Sequence, residues 1–140
     1  MYVVDASVWV SRFLPADIHH GPSYRWMSAQ VAQGEPLAAP LLVLAEVAGA
    51  MVRRTRSSEL GAQAVFLMQQ LPNARLVPID TELAQLGARL AAELRLRGAD
   101  ALYVALARRL GAPLVTWDQE QRERGGQLVT VLNLQDILAL

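Results

Sequence analysis

The strongest constraint on the fold is a pair of short apolar runs that each stop on an aspartate, Y-V-V before Asp5 and L-V-T-W before Asp118. Such runs lack the polar alternation of a half-exposed strand. They suit strands buried on both faces, the kind found in a parallel sheet wrapped by helices. Three more stretches read as strands: residues 37–39, R-L-V-P-I-D ending at Asp80, and Q-L-V-T-V at 127–131. The segments between them read as helices. One follows Asp5, one covers 23–33, and one runs from Leu41 to Arg54 with Pro40 in its first turn. Others run from Ser57 to about Leu71, from Asp80 to about Leu96, from about Asp100 to Leu110 after Gly98 breaks the chain, and from Leu134 onward. Gly111 caps the helix before it, and Q-E-Q-R-E-R-G-G reads as a polar turn. The expected fold is therefore α/β, a three-layer α/β/α sandwich with a central, mostly parallel sheet of about five short strands. With 140 residues, the chain is expected to form one domain over 1–140. In such sheets ligands bind beyond the carboxyl ends of the strands, where the winding reverses, and Asp5 and Asp118 fall at strand ends.

Four acids share an unusual setting. Asp5, Glu46, Asp100 and Asp118 each sit in or against an apolar run: V-V-D-A-S-V-W, L-V-L-A-E-V-A-G-A, G-A-D-A-L-Y-V-A-L-A and L-V-T-W-D. A buried carboxylate needs hydrogen bonds, a counter-charge or a metal, and few cationic residues lie beside these four. If they converge, two carboxylates about 4 Å apart repel by roughly 4 kcal/mol at an effective dielectric near 20. A divalent cation relieves that repulsion, and all-oxygen ligands select magnesium or manganese. One or two such ions would ionise a water and stabilise a leaving oxygen, which is the chemistry of phosphodiester hydrolysis.

Each acid also has a plainer reading. Asp5, Asp100 and Asp118 precede helices or turns and can cap exposed backbone N–H groups, as Asp80 is expected to do. Asp17 and Asp136 read as loop and helix-start residues. Glu46 shares a helix face with Leu42, Val43, Gly49, Ala50 and Arg53, which leaves either a pocket or an ion pair with Arg53. Ser7 and Thr116 each lie two residues from an acid, placed to orient a carboxylate or to cap locally. Tyr103 and Trp117 fit core packing better than base stacking. His19 and His20 are adjacent and fit a flexible loop better than a metal site.

Composition removes other classes. Hydrophobic residues make up 53% and charged residues 19%, too apolar for disorder. There is no cysteine, so thiol nucleophiles, disulfides and thiolate zinc sites are excluded. The N-terminal residues lack the basic start of a secretory signal. The most apolar stretch, Leu37 to Val52, is broken by Pro40 and Glu46, so a cytoplasmic protein without a membrane span is expected. Formal charge is zero, which argues against a broad basic field for nucleic acid. All the basic residues are arginine, however, and two clusters stand out: Arg53, Arg54 and Arg56, and Arg89, Arg95 and Arg97. Either cluster can contact phosphate or simply coat a solvated helix. No lysine is present, which counts against a phospho-receiver domain, a P-loop and a haloacid-dehalogenase-like phosphatase. The last would also need a second aspartate where Ser7 stands.

Taken in order, V-V-D-A-S, A-E-V-A, A-D-A-L-Y-V-A-L-A and L-V-T-W-D resemble the motifs of PIN-domain ribonucleases, most closely the VapC-like toxins of toxin–antitoxin pairs. The resemblance covers almost the whole chain. It implies a PIN-like fold and an endoribonuclease in which Asp5, Glu46, Asp100 and Asp118 bind Mg2+ or Mn2+. Thr116 belongs to the same catalytic set, with Ser7 and Arg53 in support. It also implies an RNA substrate such as tRNA or rRNA, a homodimer, and inhibition by a small antitoxin whose tail covers the site. Family members often carry a further acid or an apolar residue just past the last aspartate. Here the run is Q-E-Q-R-E-R-G, with Glu120 as the candidate. Nothing in the residues reads a 2′-hydroxyl, so DNA stays open as a substrate. The alternative function is a catalytically silent module of the same fold that binds RNA or protein.

Overall fold

A computed structural model describes residues 1–139. Five parallel strands, β1 (Tyr2–Val4), β2 (Leu37–Pro40), β3 (Ala74–Val77), β4 (Leu114–Val115) and β5 (Val131–Leu132), form one sheet in the order β3-β2-β1-β4-β5. Eight helices connect and flank them: α1 (Ala6–Phe13), α2 (His20–Gln33), α3 (Val43–Thr55), α4 (Ser58–Gln70), α5 (Thr81–Leu94), α6 (Gly98–Leu110), α7 (Gln119–Gly125) and α8 (Leu134–Leu138). This is the expected three-layer α/β/α sandwich.

From β1 the chain winds outward through β2 to β3, then crosses back to place β4 on the other side of β1. Right-handed crossovers put α1 to α4 on one face and α5 to α7 on the other. The direction of winding therefore reverses between β1 and β4. Asp5 follows β1 directly and Asp118 follows β4, so both acids stand at the carboxyl edge of that switch point. The inner strands are buried apart from the half-buried Tyr2: Val3, Val4, Leu37, Ala38, Ala39, Leu114 and Val115 are inaccessible to solvent. Trp9, Tyr103, Met27, Met68 and Leu106 fill the layers against them. No helix among the described residues is long and apolar enough to cross a membrane.

Several boundaries differ from the sequence reading. Pro40 ends β2 instead of opening a helix, and α3 starts at Val43. Only Leu37 and Ala38 of β2 pair with β1, so the N–H that Pro40 lacks is not needed on that side. The break between α5 and α6 falls at Arg95, in the left-handed region at φ 57°, with Leu96 buried beneath it. Gly98 is the first residue of α6, and Asp100 lies inside its first turn. The segment read as a polar turn is α7. Its polar sequence hides a buried face made of Gln121 and Gly125, and a Cβ at Gly125 would come within 3.0 Å of Val104 Cγ2. β5 begins four residues later than the start read from the sequence and is two residues long. His19 caps the backbone of α2 and His20 opens it, so neither lies in a free loop.

Candidate active site

Asp5 is buried between the end of β1 and the start of α1. Its Oδ2 accepts the Ser7 backbone N–H at 3.0 Å and the Thr116 hydroxyl at 3.2 Å. Both bonds fall on one oxygen, so capping α1 leaves Oδ1 uncommitted to either. Thr116 Oγ1 in turn accepts the Asp118 N–H at 3.0 Å. Ser7 Oγ accepts the Trp117 N–H at 3.1 Å and lies 3.4 Å from Thr116 Oγ1. Because the Thr116 proton goes to Asp5, the Ser7 hydroxyl is the donor in that long contact. The two hydroxyls thus tie the ends of β1 and β4 together through side chains.

Asp118 caps α7, its Oδ1 accepting the Gln121 N–H at 2.7 Å. Gln121 is fully buried, and its Nε2 donates to the Asp100 carbonyl at 3.2 Å. The first turn of α6 is therefore fastened to the first turn of α7. One helical turn after Asp100, the buried Tyr103 donates its hydroxyl to Glu46 Oε1 at 2.7 Å, reaching from one layer to α3 in the other. Glu46 has no ion pair with Arg53 among the described residues; its partner is Tyr103.

The charges of these groups bear on one another. Burial, then the negative charges of Asp5 and Asp118, push Asp100 up to about 6. Burial raises Glu46, the Tyr103 hydrogen bond opposes that, and the charges of Asp5 and Asp100 add to the rise. Burial also raises Asp5, against the bonds from Ser7 and Thr116. Tyr103 is held far above the usual phenol range by its burial, then by Asp5 and Glu46, so it stays a donor. The cation nearest Asp100 is Arg97, at 3.7 Å, and Arg97 is 80% exposed. Such a contact is worth little.

For three of the four carboxylates the surroundings thus disfavour the charged form, and the protein supplies little positive charge to offset this. Among the described residues no three acidic or histidine side chains are gathered into a ready-made metal cage. The donor chemistry nevertheless fits a hard divalent cation: carboxylate and hydroxyl oxygens, no sulfur, and an excess of negative charge.

The remaining residues singled out in the sequence sit at the margins. Arg53 lines an open groove of about 540 Å3 beside Ser7 and Glu46. Glu120 points to Arg124 at 2.5 Å, yet lies near enough for its charge to raise Asp100 slightly. Asp80 caps α5 through Leu83 N–H at 2.8 Å and pairs with Arg109, away from the cluster. Sequence reasoning missed Gln121 and the role of the Tyr103 hydroxyl. A buried glutamine in a wholly polar run gives no signal, whereas a tyrosine one turn after an acid in an apolar helix needs a partner and could have been flagged.

The PIN domain family matches residues 2–127. Solved structures of the same fold include VapC20 of Mycobacterium tuberculosis, a sarcin–ricin loop cleaving toxin. It has a TM-score of 0.77 and 19% identity, with 89% of this chain and 95% of that chain covered. VapBC2 of Rickettsia felis, bound to a DNA fragment from its promoter, has a TM-score of 0.72 and 17% identity, with 94% and 97% covered. A toxin–antitoxin complex from Klebsiella pneumoniae has a TM-score of 0.69 and 16% identity, with 96% and 98% covered. No curated protein matches the sequence.

Proposed function

The chain belongs to the PIN-domain family, and from that premise we propose that it is a Mg2+- or Mn2+-dependent endoribonuclease, the toxin of a toxin–antitoxin pair. The observation that supports the reading is that Asp5, Glu46, Asp100 and Asp118, carried by four separate elements, lie near enough for the charges of Asp5 and Asp118 to act on Asp100 and those of Asp5 and Asp100 to act on Glu46. Burial is the largest cause of the rise at Asp100 and Glu46, and the neighbouring carboxylates add to it.

Asp5, Glu46, Asp100 and Asp118 would hold the ion, and Thr116 and Ser7 would keep Asp5 oriented through their hydroxyls. A bound divalent cation supplies a lowered water pKa and stabilisation of charge on phosphate oxygens. Tyr103 keeps one oxygen of Glu46 engaged and leaves the other free. Arg53 supplies positive charge beside a cluster that would otherwise repel a phosphate backbone. Glu120, held by Arg124, has at most a supporting part.

The structural neighbours include a toxin that cleaves the sarcin–ricin loop and complexes of toxins with antitoxins. They support an RNA substrate and a small protein antitoxin for this chain. We extend the reading to a single domain over 1–140, a homodimer and a cytoplasmic location.

The test is cleavage of total bacterial RNA by the purified protein with magnesium, with manganese and with chelator, beside Asp100→Asn. Discrete fragments are expected only with metal and only from the unmutated chain. If folded, metal-supplied, antitoxin-free protein cuts nothing, the fold is serving as a silent binding module instead.

A further inference from the structure

The groove beside Glu46 carries features that the metal chemistry does not use. His19 lines it, together with Ser7, Arg53 and Arg54. The His19 imidazole lies flat on Trp117, with ring centroids 3.8 Å apart and planes 8° apart. Trp117 is itself fixed, its indole N–H donating to Ser23 Oγ at 2.9 Å and its backbone N–H to Ser7 Oγ at 3.1 Å. Trp117 does not line the groove, so the imidazole, backed by an anchored indole, is the aromatic surface the groove presents.

Arg53, which lines the same groove, lies two turns beyond Glu46 on α3. The guanidinium folds back over Gly49, where a Cβ would come within 3.1 Å of Arg53 Nη1. Its neighbour Arg54 is spent on Asp17, at 2.5 Å. Arg53 has no carboxylate at ion-pair distance among the described residues. A cation left unpaired and an aromatic ring braced from behind line one groove, together with the Glu46 carboxylate.

We propose that this groove holds the nucleotide adjoining the scissile phosphate of a single-stranded RNA, its phosphate on Arg53 and its base stacked on His19. The inference rests on the nuclease reading and adds a binding subsite to it. Stacking on a ring face tolerates any base, so the subsite sets the position of the strand and leaves sequence choice to other contacts.

The experiment measures binding of a fluorescent single-stranded RNA oligonucleotide to the full chain in calcium, by anisotropy, with cleavage in magnesium run alongside. A set of oligonucleotides carries one abasic residue at each successive position. His19→Ala is expected to weaken binding of the intact strand roughly thirtyfold, the middle of the range for one stacked base. One abasic position should weaken wild-type binding by a similar factor, with no further loss from His19→Ala on that strand. His19→Phe, which keeps a ring on Trp117, should bind like wild type. Arg53→Gln should lower the slope of log affinity against log salt by about 0.7, one phosphate contact on a single strand. If wild type neither binds nor cuts, both the subsite and the nuclease reading fall. If wild type cuts RNA while His19→Ala and Arg53→Gln bind as tightly as it does, the subsite alone is overturned. A loss from His19→Ala that is equal on intact and on every abasic strand overturns the stacking as well.

Discussion

Asp100→Asn should make the metal-free protein more stable while abolishing its activity. Asp100 ordinarily ionises near 3.8 and is pushed up to about 6 in the folded chain. A shift of about two units corresponds to about 3 kcal/mol of preference for the neutral form. The carboxylate is 22% exposed and opens onto solvent, so screening reduces this to roughly 1–2 kcal/mol. The sign follows from proton binding. Because the folded-state value lies above the unfolded one, the native chain holds the proton more tightly, and stability falls as pH rises from about 4 through about 6. Below about pH 3 Asp100 is neutral in both states, and wild type and variant should converge in stability, with only a small gap left at pH 4. Above pH 6.5 the variant should lead by its full margin, a rise of several degrees in Tm at roughly 2–4 °C per kcal/mol for a chain of this size. Neutralising Asp100 also removes one of the charges that raise Glu46, which adds to the gain. The assay is urea unfolding followed by circular dichroism at pH 4, 6 and 8 in chelator, repeated with magnesium. Magnesium should stabilise wild type and leave the variant nearly unmoved, narrowing the gap. A variant less stable than wild type at pH 8 in chelator, or a difference that does not change with pH, would refute the picture of an uncompensated acidic cluster.

Two further outcomes test the supports of the site and of the fold. Tyr103→Phe removes the one side-chain hydrogen bond to Glu46 found among the described residues, so Glu46 should rise further and the acid limb of the cleavage pH profile should move to higher pH; an unmoved limb would mean the phenol does not govern Glu46. Gly61→Ala places a methyl 2.8 Å from Val52 Cγ2 and 3.0 Å from the Ala48 carbonyl, where α4 crosses α3. Overpacking of about 1–3 kcal/mol should outweigh the helix-propensity gain of about 1 kcal/mol, and calorimetry should record a lower Tm.

The layers and the edge that bears the acids were legible because buried parallel strands leave a sharp trace. Y-V-V and L-V-T-W cannot hide in another class of fold, and each hands its chain to an aspartate. Asp5 and Asp118 each cap a helix, as their plainer reading expected, and each does so with one oxygen, so the cap alone does not decide against a further role. What the sequence concealed was long-range partnership. Tyr103 and Glu46 lie 57 positions apart and meet only because two layers close over the sheet edge. Gln121 was lost inside a run with no apolar residue to set a helical period, although the aspartate that caps it stood in plain view. His19 looked like loop because its anchor, Trp117, is supplied by the opposite end of the chain.

The place of β4 in the sheet has a consequence for how such a chain emerges from a ribosome. Asp5, Glu46 and Asp100 are all synthesised before β4 exists. Until it docks, Asp5 lacks both the Val115 carbonyl that receives its N–H at 3.0 Å and the Thr116 hydroxyl on its carboxylate. An interrupted translation product that stops short of Thr116 holds three carboxylates without the β4 contacts that fix Asp5. Under the proposed nuclease function, activity would be the last thing the chain acquires.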